Sequence, residues 1–357
     1  MTSAHNAIAP SIAGTAEVLR GNRSHAEPMP ITRHRALAGV GALLASASHA
    51  QASVDVFDGF AGTRVHFADV DTGRALLMAD DEWMRTTSEF QRRAVMGSAT
   101  PVTLDAFRRW NGDSVHPWTD ELRARWRRAL ERLAPSFGSL RIPLPAEVLL
   151  IASNGQESAR APYTRAHGVV LPGPVVSPGY SDPMLMAHEL WHVAARHAPA
   201  LATRLYAEMG FEPIAELQFP SQWAGVRIAN PDAPSNRHAM RVAIEGRRAW
   251  VTPVLVAMRT ELQADETFFS VMEPRLLEVV PGANGAPSLA AQRQDGQPLW
   301  HPLDGPHEYL RRLGGNTGYV IHHEEAMADN VALLVTGQRA RNPELLARIK
   351  TALAASR

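Results

Sequence analysis

Cysteine is absent from the 357 residues. Its absence removes disulfides, thiolate metal ligands, cysteine nucleophiles and a lipidated amino-terminal cysteine in one step. Lysine is almost absent as well: Lys350 is the sole one, so arginine carries the positive charge, a bias that matches GC-rich coding better than phosphate binding. No sign of charge dominates, with Lys+Arg and Asp+Glu both at 36. That balance lacks the basic footprint of a nucleic-acid binder. No segment reaches the roughly 18 consecutive apolar residues of a membrane span, and neither an internal repeat nor a low-complexity tract is present. What remains is an ordinary globular composition, 45% hydrophobic and 20% charged, long enough for one large domain or two average ones. Any metal site in it must be built from histidine and carboxylates.

The amino terminus reads as an export signal set back from Met1. Met29 to Arg35 is short and basic, and Ala36 to Ala47 is apolar but too short to span a membrane as a mature helix. Ala50-Gln51-Ala52 is a small-x-small cleavage site, and Met29 is a candidate initiator. Residues 29–52 are therefore expected to send the chain out of a bacterial cytoplasm, to the periplasm or medium, as a secreted protein.

Residues 53–135 read as a mainly helical amino-terminal part, and 136–357 as a second unit. Strand-like stretches at Val54–Phe57 and Thr63–Phe67 precede helical patterns over Asp81–Met96 and Leu104–Trp110. A clearer helix carries Leu122, Trp126, Leu130 and Leu133 on one face, with Thr119 or Asp120 as its cap and arginines 123, 125, 127 and 128 on an expected solvated face. Glu147–Ile151 reads as a buried strand, and Gly168–Leu171 as an edge strand bounded by glycine and proline. The next helix starts with Asp182 as cap and Pro183 in the first turn, and Pro199 stops it. Mixed signals follow, with loops expected at 228–234 and 282–298, until a last strong helix over Glu324–Val335 ends at Gly337.

The helix before Pro199 contains His188-Glu189-Leu190-Trp191-His192. Four residues turn a helix through about 400°, so both imidazoles project from one face and can reach one ion. Glu189, turned by about 100° from His188, sits beside that ion rather than on it, where its carboxylate can take a proton from water. His197 lies about 900° beyond His188, on the opposite face, and is not a third ligand. His322-His323-Glu324-Glu325-Ala326-Met327-Ala328-Asp329 offers a carboxylate instead. Glu325 and Asp329 are four apart on one face: Glu325 can bind the ion, and Asp329 can accept the free ring N–H of a ligating histidine. The arrangement requires Glu325 to approach both imidazoles. A macrodipole role explains acidity at this helix start, but not Asp329 beside the apolar run Val331–Val335.

With these residues in place the chain resembles the gluzincins, the thermolysin-like zinc metallopeptidases, which share HExxH on one helix and ExxxD on another. Three stretches, Tyr163-Thr164-Arg165, Asn230-Pro231-Asp232 and Gly318–Ile321, are similar to those of an uncharacterised bacterial group of such proteins. The resemblance implies an α+β zincin-like domain, with a small sheet whose edge strand, Gly168–Leu171, lies over the active-site helix and binds extended substrate, and a mainly helical remainder. It implies one zinc ion on His188, His192 and Glu325, Glu189 as general base, Asp329 as orienter, and hydrolysis of a peptide or protein substrate. Thermolysin-like enzymes use Tyr or His to stabilise the oxyanion; Tyr319 is the first candidate, followed by His322, His323, Tyr163 and Arg165. Tyr206 reads as core. The 133 positions between His192 and Glu325 depart from the shorter spacing of thermolysin. A zincin-like binding module and a non-peptide zinc hydrolase remain as alternatives.

Overall fold

A computed structural model describes residues 55–173, 179–262 and 268–355; the expected export signal at 29–52 lies outside them. The fold is mixed α+β with two sheets. A hairpin of β1 (Val56–Phe60) and β2 (Thr63–Phe67) leads into α1 (Val70–Leu77), α2 (Glu82–Thr86), α3 (Glu89–Met96), α4 (Leu104–Asp113) and α5 (Asp120–Leu140). The helical pattern over Asp81–Met96 is thus two helices. Asp81 caps the first at Met84 N (2.9 Å), and Ser88 restarts the chain by accepting from Gln91 N (3.1 Å). Thr119 is the cap of α5, at 3.2 Å from Leu122 N.

The arginine face of α5 is not simply solvated. Arg123 pairs with Asp55 at 2.9 Å, Arg125 grips both carboxylate oxygens of Asp182 (2.8 and 2.6 Å), and Arg127 donates to the carbonyl of Val56 (3.1 Å). These contacts tie the helix to β1 and to the start of the histidine-bearing helix. The opposite face buries Trp126, Ala129, Leu130, Leu133 and Phe137.

Three further strands, β3 (Glu147–Ser153), β4 (Tyr163–Arg165) and β5 (Gly168–Pro172), complete a sheet of order β1-β2-β3-β5-β4. β2, β3 and β5 are parallel, while β1 and β4 run antiparallel at its two edges. Two expectations change here. The Gly168–Leu171 strand is interior, paired on both sides, and the edge is β4. The sheet also crosses the boundary read at 135/136, since Arg64–Phe67 align with Glu147–Leu150.

The next helices are α6 (Asp182–His197) and α7 (Pro199–Ala207). Asp182, expected as the cap, is the first helical residue, and Ser181 holds the cap position without a side-chain bond. The Asp182 carboxylate is committed to Arg125 instead. Pro199 both ends α6 and opens α7.

A second sheet then occupies most of the interval before the last strong helix. It contains β6 (Phe211–Pro213), β7 (Leu217–Gln218), β8 (His238–Ile244), β9 (Arg247–Ala257), β10 (Met272–Val280), β11 (Ser288–Ala290) and β12 (Trp300–Pro302). The order is β6-β8-β9-β10-β11-β7, with β12 also paired to β10. β11 falls inside the span expected to be loop, 282–298. The sheet accounts for the long spacing between His192 and Glu325. After it come α8 (Tyr309–Arg312), α9 (His323–Thr336) and α10 (Pro343–Ala354).

α6 runs through the centre of the molecule, packed by α5, α7, α9, β4 and β5. Every residue from Met184 to Ala195 is buried, as is every residue of α9 from His323 to Leu333. A helix covered on all sides normally carries apolar residues throughout. These two instead bring His188, Glu189, His192, Glu324, Glu325 and Asp329 into the interior, where polar groups are costly unless they meet one another or a cation.

Candidate metal centre

The α6–α9 contact answers that cost. His188 Nδ1–H donates to Asp329 Oδ1 at 2.8 Å, and His192 Nδ1–H donates to Glu324 Oε1 at 2.9 Å. Because a carboxylate accepts only, both ring protons sit on Nδ1, and both Nε2 lone pairs are left to turn inward. They converge on one atom: Glu325 Oε2 lies 3.1 Å from His188 Nε2 and 3.4 Å from His192 Nε2. Tetrahedral ligands bonded at 2.0–2.2 Å stand about 3.3 Å apart, so these separations match the edges of a coordination tetrahedron. His188, His192 and Glu325 are 4%, 0% and 1% exposed, and this buried triad can bind a metal ion.

The electrostatics point the same way. Burial opposes charge on His188, yet Asp329 and Glu325 outweigh it and push the imidazole up to about 10. His192 is likewise raised well above its ordinary value, burial opposing and Asp232, Glu325 and Glu324 prevailing. Burial acts to raise Glu325, but the two imidazoles draw it well below the usual carboxylate range. The surrounding carboxylates thus favour positive charge at the two imidazoles.

Glu189 lies beside the triad, 3% exposed, and its Oε2 makes no hydrogen bond. Burial first, then the nearby Asp232 charge, push it up to about 8, the range of a group that exchanges a proton near neutrality. Tyr319 stacks on the His188 ring, with centroids 6.0 Å apart and planes 22° from parallel. Burial and the charge of Glu325 hold its hydroxyl well above the ordinary tyrosine value, so it stays a donor.

The other oxyanion candidates have contacts of their own. Tyr163 is buried against Trp83, and Arg165 pairs with Asp81 while stacking on the same indole. His322 Nδ1 is used to cap α9, accepting from Glu324 N at 3.2 Å, and burial lowers the ring to about 4. His323 packs between Tyr206 and His238 behind the site. His197 is the exposed last residue of α6.

Several supports of the site escaped sequence reasoning. The Tyr180 hydroxyl donates to Asp329 Oδ1 (2.5 Å), and the Thr317 hydroxyl donates to Oδ2. Glu324, which reads as a dipole-favouring residue, orients His192, and its other oxygen accepts from Tyr206, so this core tyrosine also has a polar task. Asn230 donates to Glu325 Oε1, which fixes the carboxylate and leaves Oε2 for the ion position. Asp232 brings a further carboxylate: one ligand atom each from Glu189, His192 and Asp232 lie within 4.8 Å of one another. The Asn230-Pro231-Asp232 loop was the available signal, but no periodicity connects a loop to a helix. Compared with protein-family models, curated proteins and solved structures, the chain matches none.

Proposed function

We propose that this chain is a zinc-dependent hydrolase of peptide bonds, with one ion held by His188, His192 and Glu325. The observation that carries the reading is the Nε2, Nε2, Oε2 triangle with the unpartnered, buried Glu189 Oε2 at its side. Two nitrogens and one oxygen, each buttressed by a further hydrogen bond, suit zinc with an open fourth position better than a closed structural site. Zinc, when bound, supplies Lewis acidity that polarises a carbonyl and makes water more acidic.

The chain's own residues supply the rest. Glu189 accepts the proton of the attacking water at Oε2 and returns it to the departing amine. Asp329 and Glu324 keep both ring protons on Nδ1, and Asn230 holds Glu325 from turning. The Tyr319 hydroxyl is the proposed donor to the oxyanion, an interaction whose loss costs about 10²–10³ in rate elsewhere. The zincin-like description rests on this helix pair, and export on the pattern of residues 29–52.

The test is metal analysis of purified wild type and His192→Ala, together with cleavage of a peptide library by wild type and Glu189→Gln. Stoichiometric zinc in wild type, its loss in H192A, and cleavage abolished in E189Q are expected. Wild type without zinc refutes the site. Zinc with no Glu189-dependent cleavage moves the protein to a binding module.

A further inference from the structure

Asp232 stands where the peptidase reading gives it no task. Its Oδ1 accepts from both the backbone N–H (2.7 Å) and the hydroxyl (2.6 Å) of Thr164 on edge strand β4. Arg196 of α6 fastens the same corner, donating to the Asp232 carbonyl at 3.3 Å, to the Ala166 carbonyl at 3.1 Å and to the Thr164 hydroxyl. Asp232 is thus fixed beside Glu189 and His192 by β4, which holds its carboxylate, and by α6, which holds its carbonyl, with Oδ2 left over.

A second metal ion does not fit this place. Of the group Glu189, His192 and Asp232, only the histidine offers nitrogen. Its Nδ1–H is given to Glu324, and its Nε2 faces Glu325. Two carboxylates alone remain. The pocket nevertheless calls for another cation. Asp232 Oδ2, beside Glu189 and His192, receives no hydrogen bond among the described residues, whereas Oδ1 receives two. An ammonium, with three N–H donors and no acceptor, meets that demand.

Reach decides which ammonium. The α-nitrogen of an amino acid is two bonds, about 2.5 Å, from its own carbonyl carbon. A lysine nitrogen is five bonds beyond the α-carbon. Asp232 lies within 4.8 Å of a His192 ring nitrogen, so a group held there must be close to the carbonyl under attack. The edge of β4 is also closed to a longer chain. Thr164 N is taken by Asp232, so no free ladder is available there for an extended peptide.

From this geometry we infer that Asp232 binds the free α-ammonium of the substrate, making the enzyme an aminopeptidase. The inference rests on the zinc peptidase reading and narrows its substrate to unblocked amino termini. The charge-assisted contact is made by Asp232, and Glu189 stays free for water.

Hydroxamates test it without requiring turnover. Calorimetric affinities for leucine hydroxamate, N-acetyl-leucine hydroxamate and N-acetyl-lysine hydroxamate are measured on zinc-loaded wild type and Asp232→Asn, with zinc content checked in both. The asparagine keeps the acceptor for Thr164. Wild type is expected to prefer the free ammonium by about tenfold or more, and D232N by less than about twofold. Equal affinities in zinc-loaded wild type overturn the inference and leave the peptidase reading standing. A preference retained in D232N overturns it too, as does a wild-type preference for the acetyl-lysine probe, which assigns Asp232 to a side chain. The wild-type comparison alone can overturn the inference, and should Asp232→Asn not fold, Asp232→Ser, which also removes the charge, is measured in its place with the same expectation. Failure to bind zinc at all removes both readings.

Discussion

Asp329→Asn separates orientation of a ligand from the fold that carries it. Asp329 receives the His188 ring N–H at 2.8 Å, the Tyr180 hydroxyl at 2.5 Å and the Thr317 hydroxyl, so three donors share one carboxylate. The amide keeps one oxygen, enough for His188 and Tyr180, but replaces the acceptor of Thr317 with a donor. That hydroxyl can rotate to accept, which limits the structural cost to about 1 kcal/mol. His188 meanwhile loses the negative charge that makes its Nε2 a stronger base. Loss of such a partner weakens metal affinity by roughly 10–100-fold, about 1.4–2.7 kcal/mol. Asp329→Ala is the less informative change, because it strands all three donors at about 1–3 kcal/mol each. The assay is competition for zinc against a chromophoric chelator, with urea unfolding of the metal-free protein as control. Glu324→Gln is the matching change at His192, and its effect should be of the same order. A D329N affinity within about twofold of wild type, in a protein that unfolds normally, refutes an orienting role.

Three further outcomes follow from the same structure. If the triad holds zinc as proposed, chelation should destabilise the protein, because the triad exists only in the folded chain: at free zinc a thousandfold above its dissociation constant the difference is about 4 kcal/mol, and H192A should show no zinc-dependent shift in melting temperature. Tyr319→Phe should lower kcat by about 10²–10³ with zinc content unchanged; a mutant of normal rate would pass the oxyanion role to another donor. The Arg125 hydrogen bonds hold Asp182 below its ordinary value, so the pair stabilises the fold above the unfolded carboxyl value of about 4 and its contribution is lost as pH falls through the depressed one. Since both side chains are partly exposed, about 1 kcal/mol should separate wild type from Asp182→Asn at pH 7 and vanish in acid, as read by urea unfolding across pH; a pH-independent gap would show that the pair does not contribute through charge.

How far the sequence reveals this molecule depends on whether a residue's partners share its element. The pairs His188/His192 and Glu325/Asp329 are each four apart, and helical periodicity alone puts each on one face. Gly337 likewise shows the end of α9 because its φ of 66° favours glycine. The second sheet gives no such signal. β6, β7, β11 and β12 are two or three residues long, and β9 is buried on both faces from Val251 to Ala257, so alternation between polar and apolar is absent. The edge strand was misplaced for a related reason. Gly168–Pro172 is flanked by glycine and proline, yet every residue in it is buried, and only the pairing of β4 along its outer side explains why.

The same distinction sorts the site itself. The proposed ligands and base lie on two helices and are legible; the groups that hold them are scattered. Tyr180, Thr317 and Asn230 come from the connections before α6, before α9 and between β7 and β8, and each touches a ligand or its carboxylate partner. A turn-borne residue has no period to give it away, so its contribution emerges only when the chain is folded. Asp232 is the clearest instance. It lies two residues from Asn230, which fixes Glu325, and its neighbour in space is Glu189, which lies 43 positions away in sequence. Under the proposed function, a loop that holds Glu325 with one side chain and sets a second carboxylate beside Glu189 with another would couple metal binding to substrate choice. Asn230→Leu should therefore weaken zinc binding by about tenfold through the loss of the hydrogen bond to Glu325, and it also removes the Oδ1 that accepts from the Asp232 backbone N–H at 3.0 Å. Because the Asp232 carboxylate keeps both of its hydrogen bonds from Thr164, the same variant should keep its preference for a free ammonium. Loss of both together would mean that the loop acts as a unit and that Asp232 has no separate anchor.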